Sequence, residues 1–176
     1  MIVATLSLAA VVVLSILLAR RPSDGDTQPE PNTTQIALDD ASQAASQVYS
    51  SNGRNFPRGQ SLLNQLQRTA PELAFAFGPQ SVSVSNFASG PLTSTGISVA
   101  VSQDGEVVMF AAQATDGTCW YVTINHEKTA TSAGLDGGAT TRGTSYSAAG
   151  SQQSCAAGDG LPSGATSWKP AWPARS

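Results

Sequence analysis

The longest apolar stretch of the chain covers residues 2–19, in which only one threonine and two serines are polar. A transmembrane helix needs roughly 17–25 such residues, so this stretch is long enough to cross a bilayer. A cleaved signal peptide is the alternative, but it would need a basic start and a small-residue cleavage site, and the sequence offers neither. We therefore expect an uncleaved anchor over residues 1–21 that contacts the membrane through residues 2–19.

A polar segment rich in proline and aspartate follows this stretch at residues 22–32. It has no apolar periodicity, so we expect an extended linker. Apolar residues then recur at a helical spacing from about Thr33 to Ser51, at positions Leu38, Ala41, Ala45 and Val48. This stripe predicts an amphipathic helix with one buried face.

Shorter elements follow the amphipathic helix. Residues 61–69 contain three leucines at helical spacing and precede Pro71, which predicts a second, short helix. Residues 73–77 alternate as a strand does, and residues 81–87 are a candidate edge strand. Most of the regular pattern thus lies in residues 33–160, which we expect to form one α+β globular domain, with residues 161–176 as a tail that contains tryptophan and proline.

Three apolar strands joined by two Asp-Gly turns form the clearest pattern, at residues 97–101, 107–114 and 119–124. Asp-Gly in a two-residue loop favours the type I′ turn, which fits the twist of an antiparallel hairpin. With that turn, Val101 faces Val108, Val99 faces Phe110 and Ala112 faces Tyr121. The face expected against the helix carries Ile97, Val99, Val101, Val108, Phe110, Ala112, Cys119 and Tyr121. The other face carries Ser98, Ser102, Gln113 and Trp120 beside Val107, Met109, Val122 and Ile124, and is expected to need less covering.

The chain has two cysteines, Cys119 on the third strand of this meander and Cys155 in a Gly/Ser-rich region where regular patterns fade. Outside the cytosol the two thiols are expected to join, which would fasten the C-terminal region to the sheet. The alternative is two unpaired cysteines that pack as small apolar residues.

Composition excludes several functions and indicates little chemistry. The net charge is −3 and only 12% of residues are charged, so the chain has no basic surface for nucleic acid. His126 is the only histidine, and no Gly-x-Ser-x-Gly motif accompanies it. We interpret His126 as a solvated residue beyond a strand end, and the Asp residues of the Asp-Gly pairs as turn formers. We predict no catalytic residue, no cofactor, no metal site and no small-molecule substrate.

The order of these elements resembles that of type IV pilin-like proteins of the actinobacterial kind. The resemblance covers about residues 37–155. It depends on the segments VYSSNG at 48–53, APELAF at 70–75, ISVAV at 97–101, VVMFAA at 107–112 and DGTCWYV at 116–122, followed by a later cysteine. It implies a helix packed on an antiparallel sheet, with a disulfide that fixes the terminal loop.

The expected function is therefore that of a non-enzymatic, pilin-like component of a type IV pilus or a secretion-type envelope apparatus. Its partners would be pilin or secretion-apparatus subunits. We expect a single-pass protein of the cell membrane with the globular domain on the extracytoplasmic side. Pro22, Pro29 and Pro31 separate the anchor from the domain, which favours a pilin-like domain on a plain anchor over a polymerising subunit. The alternative is an anchored module that binds cell wall or carbohydrate through Trp120, Trp168 and Trp172.

Overall fold

A computed structural model describes residues 33–78, 96–126, 135, 141–158, 161–162 and 164–173. These residues belong to one compact unit that spans residues 31–176. In chain order the elements are two helices and five strands: α1 (Thr33–Ser51), α2 (Gln60–Thr69), β1 (Ala74–Phe77), β2 (Gly96–Val101), β3 (Val107–Gln113), β4 (Thr118–Asn125) and β5 (Gly143–Ser151).

Helix α1 forms where the apolar stripe predicts it. Leu38, Ala41, Ala45 and Val48 are all buried, and the helix lies against β3 and β4. The alanines of the stripe have short side chains, which allows the helix backbone to approach the sheet closely. After α1, the connection places Phe56 in the core, and its backbone N–H donates to the carbonyl of Gly105 at 2.8 Å.

The five strands form one mixed sheet in the order β1-β2-β3-β4-β5. The pairs β2–β3, β3–β4 and β4–β5 are antiparallel, but β1 is parallel to β2. The prediction of a purely antiparallel sheet is therefore wrong. A parallel pair needs a long connection, and residues 78–95 between β1 and β2 supply enough chain for one. The candidate edge strand at residues 81–87 lies outside the described residues.

The prediction of an N-terminal transmembrane helix must also be corrected. Among the residues that the structure describes, no helix is long and apolar enough to cross a membrane. Helix α1 has the necessary length, but its apolar residues occupy one stripe and the opposite side is polar, so it suits the surface of a sheet. The predicted segment at residues 2–19 lies outside the described residues. The fold described here is α+β, with two helices on a five-stranded mixed sheet.

The first hairpin has the predicted register, with Val101 opposite Val108 and Val99 opposite Phe110. Its turn differs from the prediction, because a type I′ turn needs positive φ at both central residues and only Gly105 has it, at 76°. The loop is longer than two residues, since the backbone N–H of Ser102 donates to the carbonyl of Val107 and that of Gly105 to the carbonyl of Ser102. The longer loop leaves the register unchanged.

The second hairpin has a register one residue away from the prediction. Ala112 faces Trp120, and Tyr121 faces Ala111. The loop contains three residues, because the backbone N–H of Ala114 donates to the carbonyl of Thr118, with Gly117 at φ 83°. This is the geometry of a type I turn followed by a glycine bulge. A shift of one residue moves every side chain of β4 to the opposite face.

The sheet therefore has two buried faces whose members differ from the prediction. The helix face, which α1 covers, carries Val99, Val108, Phe110, Ala112, Trp120, Val122 and Ile124. The disulfide face, on the other side, carries Val107, Met109, Ala111, Cys119, Tyr121 and Ala149. The residues of both lists are almost completely inaccessible to solvent. The expectation that one face needs less covering is wrong, because the C-terminal chain covers the disulfide face.

Strand β5 was not predicted, since its sequence looks like a loop. It pairs antiparallel with β4 over its whole length. Ser145, Ser147 and Ala149 lie buried on the disulfide face, while Tyr146 and Ala148 pack against the core of the helix face. The side chains of β5 alternate between the two faces, as in any strand. Most of them are serine or alanine, whose hydrophobicity differs too little for the alternation to be recognised from the sequence.

Candidate functional site

Cys119 and Cys155 form a disulfide with a Cα–Cα distance of 5.6 Å, as predicted. Cys119 lies on the disulfide face of β4, and Cys155 follows the end of β5. Both residues are completely buried. The bond thus fastens the chain beyond β5 to the side of the sheet that faces away from α1.

The segment after Cys155 crosses the disulfide face towards β2. The backbone N–H of Ala157 donates to Ser98 Oγ at 2.8 Å, and that of Gly158 lies 3.3 Å from Met109 Sδ. Gly158 has a φ of 90°, and a Cβ there would lie 2.8 Å from the Cβ of Ala100. This covering excludes water from Tyr121, whose burial raises its pKa to about 12. Tyr121 therefore stays protonated at physiological pH.

An aromatic cluster around Asp39 occupies the opposite side of the sheet. It consists of Trp120 on β4, Tyr146 on β5 and Trp172 near the C-terminus. The ring centroids of Tyr146 and Trp172 are 4.3 Å apart, and those of Trp120 and Trp172 are 5.7 Å apart. Trp172 Nε1 donates a hydrogen bond of 3.2 Å to Asp39 Oδ2, and the Tyr146 hydroxyl lies close enough to the same carboxylate to lower its pKa.

The electrostatics of this cluster depend on the burial of one carboxyl group. Burial raises the pKa of Asp39, the hydrogen bonds from Trp172 and Tyr146 lower it, and the charge of Asp40 raises it again. Burial of the Tyr146 hydroxyl, together with the nearby charge of Asp39, raises the pKa of Tyr146. The cluster therefore holds an acid close to two donors in a partly dry environment, and both donors belong to the C-terminal part of the chain.

The three tryptophans predicted as ligand contacts have different surroundings. Trp120 is only 1% exposed and belongs to the core of the helix face. Trp172 is half-buried with its ring N–H bound to Asp39. Trp168 is also half-buried, but it packs against the disulfide face. Trp120 and Trp172 are brought together, and Trp168 is separate from them. This arrangement offers no shared platform for a ligand.

A second polar cluster, which the sequence did not predict, surrounds His126. The Tyr49 hydroxyl donates to Glu106 Oε2 at 2.8 Å, and the backbone N–H of His126 donates to the Glu106 carbonyl at 2.9 Å. The His126 ring stacks on the Tyr49 ring with centroids 3.8 Å apart, and Phe56 lies at 5.8 Å. The interpretation of His126 as a solvated residue is therefore wrong, because it is half-buried between rings.

Burial lowers the pKa of His126, the Glu106 carboxylate opposes this, and the charge of Arg142 adds to the lowering. Its Nε2 atom is buried and finds no hydrogen-bond partner among the described residues. The ring contacts that hold His126 in place come from Tyr49 and Phe56. The cluster joins α1 to the turn between β2 and β3.

We expect the stability of the domain to fall as the pH drops from about 7.5 to about 5.5, because of His126. A histidine whose pKa is lowered by folding binds its proton more readily in the unfolded chain. Its contribution to stability is therefore complete above the unfolded pKa of about 6.5 and is lost as the pH falls towards the folded pKa. Urea unfolding at several pH values measures this effect. His126→Phe keeps the stacked ring and should flatten the dependence; an unchanged slope in the variant would contradict the assignment.

Two other features offer no chemistry among the described residues. No group of three or more His, Cys, Asp or Glu side chains is arranged to hold a metal ion within that part of the chain. An open cleft of about 460 Å³ lies beside Phe77, Val99, Leu135 and Ala157. Its described lining is made of apolar residues and glycines, without a titratable side chain.

Comparison with known proteins identifies no family for this chain. No family model, no curated protein and no solved structure matches the chain. The resemblance to pilin-like proteins therefore stays a hypothesis that depends on the segments quoted above.

Proposed function

We propose that this chain is a non-enzymatic, extracytoplasmic pilin-like protein, a structural or accessory component of a type IV pilus or secretion-type envelope apparatus. The observation that carries the proposal is the Cys119–Cys155 disulfide, which closes the C-terminal region on the sheet that α1 covers. Disulfides of this kind persist in oxidising compartments and are rare in the cytosol.

The arrangement of the helix and the sheet supports the pilin-like part of the proposal. A helix of 19 residues precedes the sheet and packs along β3 and β4. The disulfide joins a central strand to the chain that follows the last strand. Both features agree with what the resemblance implies, although β1 makes the sheet mixed where an antiparallel sheet was expected.

The described polar groups support a non-enzymatic role. Asp39 is occupied by Trp172 and Tyr146, and Glu106 by Tyr49. Each of these contacts joins one element of the fold to another, as expected of groups that stabilise structure. An enzyme would instead direct a titratable group into a cleft that admits substrate.

The carbohydrate-binding alternative has less support, because stacking on a sugar needs an accessible ring. Trp120 is only 1% exposed, and the ring N–H of Trp172 donates its hydrogen bond to Asp39. Only Trp168 has both a half-exposed ring and a position outside the aromatic cluster. Binding of isolated cell wall that is lost in Trp168→Ala, but kept in Trp172→Ala, would favour this alternative.

The proposal is tested by the location and redox state of the full chain in an actinobacterial host. We expect a tag after Ser176 to be digested by protease added to intact cells. We also expect alkylation of freshly lysed cells, followed by mass spectrometry, to find Cys119 and Cys155 bridged. A Cys119→Ala/Cys155→Ala variant calibrates the alkylation. Free thiols together with a protected tag would overturn the extracytoplasmic part.

The apparatus part of the proposal needs a separate measurement. Surface filaments sheared from the cells, and complexes cross-linked before lysis, should contain the chain together with pilin or secretion-apparatus subunits. The matched control is an exported domain of similar size without a pilin-like sequence. A chain that is exported and bridged, but is never enriched with such subunits over the control, would overturn this part alone.

A further inference from the structure

Residues 164–173 form a strap that follows the outer edge of β5. The backbone groups of Tyr146 and Lys169 exchange two hydrogen bonds, of 2.8 and 2.9 Å. The backbone N–H of Thr166 donates to the carbonyl of Ala148 at 2.7 Å, and the N–H of Ala148 donates to Thr166 Oγ1 at 3.0 Å. The strap thus satisfies backbone groups of an edge that would otherwise be open to another strand.

The strap also contacts both faces of the sheet. Ala165 and Trp168 pack against the disulfide face, whereas Trp172 packs on the helix face beside Trp120 and Tyr146. The bond from Trp172 Nε1 to Asp39 fixes its end to α1. The strap therefore passes around the edge of the sheet and is held by backbone pairing, ring contacts and one hydrogen bond to a carboxylate.

None of these contacts is covalent. The last covalent link of the described chain to the sheet is Cys155, which precedes the strap. The strap has five partners on α1, β4 and β5, and all of them precede Cys155: Asp39, Trp120, Tyr146, Ser147 and Ala148. The Ser147 Oγ donates to the Thr166 carbonyl at 2.6 Å. We call these five residues and the outer edge of β5 the receptor, which stays closed by the disulfide when the strap detaches.

We propose that the strap is exchangeable, and that the receptor of one copy accepts residues 164–173 of a second copy of this chain. The contacts are the same whether the strap comes from the same chain or from another, so the preference between them is set by effective concentration. An extended segment added to a sheet edge, with side chains held in pockets, is an established mode of peptide recognition. The inference does not depend on the proposed function.

When the strap detaches, the receptor exposes groups that favour the binding of another strap. It exposes the unpaired backbone groups of β5 at Tyr146 and Ala148. It also uncovers part of the aromatic surface formed by Trp120 and Tyr146, against which Trp172 packs. Such an edge captures extended chains of matching sequence. A second copy supplies the matching sequence, because its strap carries the same Thr166, Lys169 and Trp172.

The test uses the full chain and a fluorescein-labelled peptide of residues 161–173. Trp172→Ala in the chain weakens its own strap but leaves the receptor unchanged. We therefore expect this variant to bind the labelled peptide at least about tenfold more tightly than the unsubstituted chain does, because a larger fraction of receptors is open. A peptide that carries Trp172→Ala is the matched control and should bind neither chain. Anisotropy titration gives the affinities.

A second measurement avoids reliance on the folding of the variant. A protease site is inserted before Gly164 in the otherwise unsubstituted full chain, which folds and forms its disulfide before it is cut. Excess labelled peptide should then replace the cut strap, and native mass spectrometry should show the change in mass. A cut strap that excess peptide never replaces, or a folded Trp172→Ala chain that ignores the peptide, would overturn the exchange.

The step from peptide to second copy is tested with two full-length chains of different mass. They are mixed at high concentration, and native mass spectrometry should show a mixed dimer that excess peptide disperses. The same mixture of Trp172→Ala chains should form the mixed dimer faster but reach a similar final fraction, because the lost contact is absent from the monomer and from the dimer alike while its loss makes the strap open more often. Chains that remain monomeric at millimolar concentration, or dimers that the peptide leaves intact, would overturn the exchange between copies.

Discussion

Replacement of Trp120 by alanine is expected to lower the free energy of unfolding by about 3–5 kcal/mol. Trp120 is the bulkiest of the fully buried side chains and lies on the helix face of β4, under α1. Its removal leaves a cavity between the sheet, α1 and Trp172, whose ring contacts the edge of the indole. Urea unfolding followed by circular dichroism measures the loss.

Trp120→Phe is the matched control for this prediction. Phenylalanine keeps most of the buried ring and removes Nε1–H, which finds no hydrogen-bond partner among the described residues. Removal of a buried donor that lacks a partner offsets part of the lost volume, so we expect a smaller loss of about 1–2 kcal/mol. An alanine variant as stable as the phenylalanine variant would show that Trp120 is not a core residue, and would restore its ligand-contact role.

Where apolar residues carry a strong period, the sequence could predict the fold. The stripe from Leu38 to Val48 predicted α1 because one face of a helix must be buried, and that face is buried. The register of the first hairpin was also predicted, since Val99 and Val101 alternate opposite Phe110 and Val108. The transmembrane prediction for residues 2–19 depended on a continuous apolar stretch and not on a helical or strand period. It falls outside the described residues.

The second hairpin could not be predicted, because Asp-Gly fits more than one loop. In the two-residue loop that we assumed, both Asp116 and Gly117 would need positive φ, but only Gly117 has it. The Asp116 carboxylate instead accepts the backbone N–H of Thr118 at 2.9 Å, which stabilises the three-residue turn. Both faces of β4 are apolar, with Trp120 and Val122 on one side and Tyr121 on the other, so hydrophobicity did not indicate the error.

The aromatic and histidine clusters could not be predicted either, because their residues are far apart in the sequence. Asp39 and Trp172 are 133 positions apart, and Tyr49 of α1 contacts Glu106 in the turn before β3 and His126 just after β4. The periodicity of α1 offered no signal for the first cluster, because Asp39 directly follows Leu38 and therefore lies about 100° around the helix from it. The pairing of the cysteines was predictable because only two are present.

Removal of the disulfide by Cys119→Ala/Cys155→Ala is expected to lower the free energy of unfolding by about 4 kcal/mol. The bond links residues separated by 36 positions, and its loss allows that whole segment to move freely in the unfolded chain. Alanine suits both positions because both are fully buried and surrounded by apolar side chains. Urea unfolding of the variant and of the unsubstituted chain measures the difference.

Reduction supplies the control for this last prediction. Both sulfur atoms belong to fully buried residues, so a reductant should act only when the chain opens, and the rate of reduction should rise with urea concentration. Once reduced, the unsubstituted chain should unfold at the same urea concentration as the double alanine variant. A variant that loses less than about 1 kcal/mol would mean that contacts of the disulfide face, such as Ala157 with Ser98, already hold the C-terminal chain in place without the covalent bond.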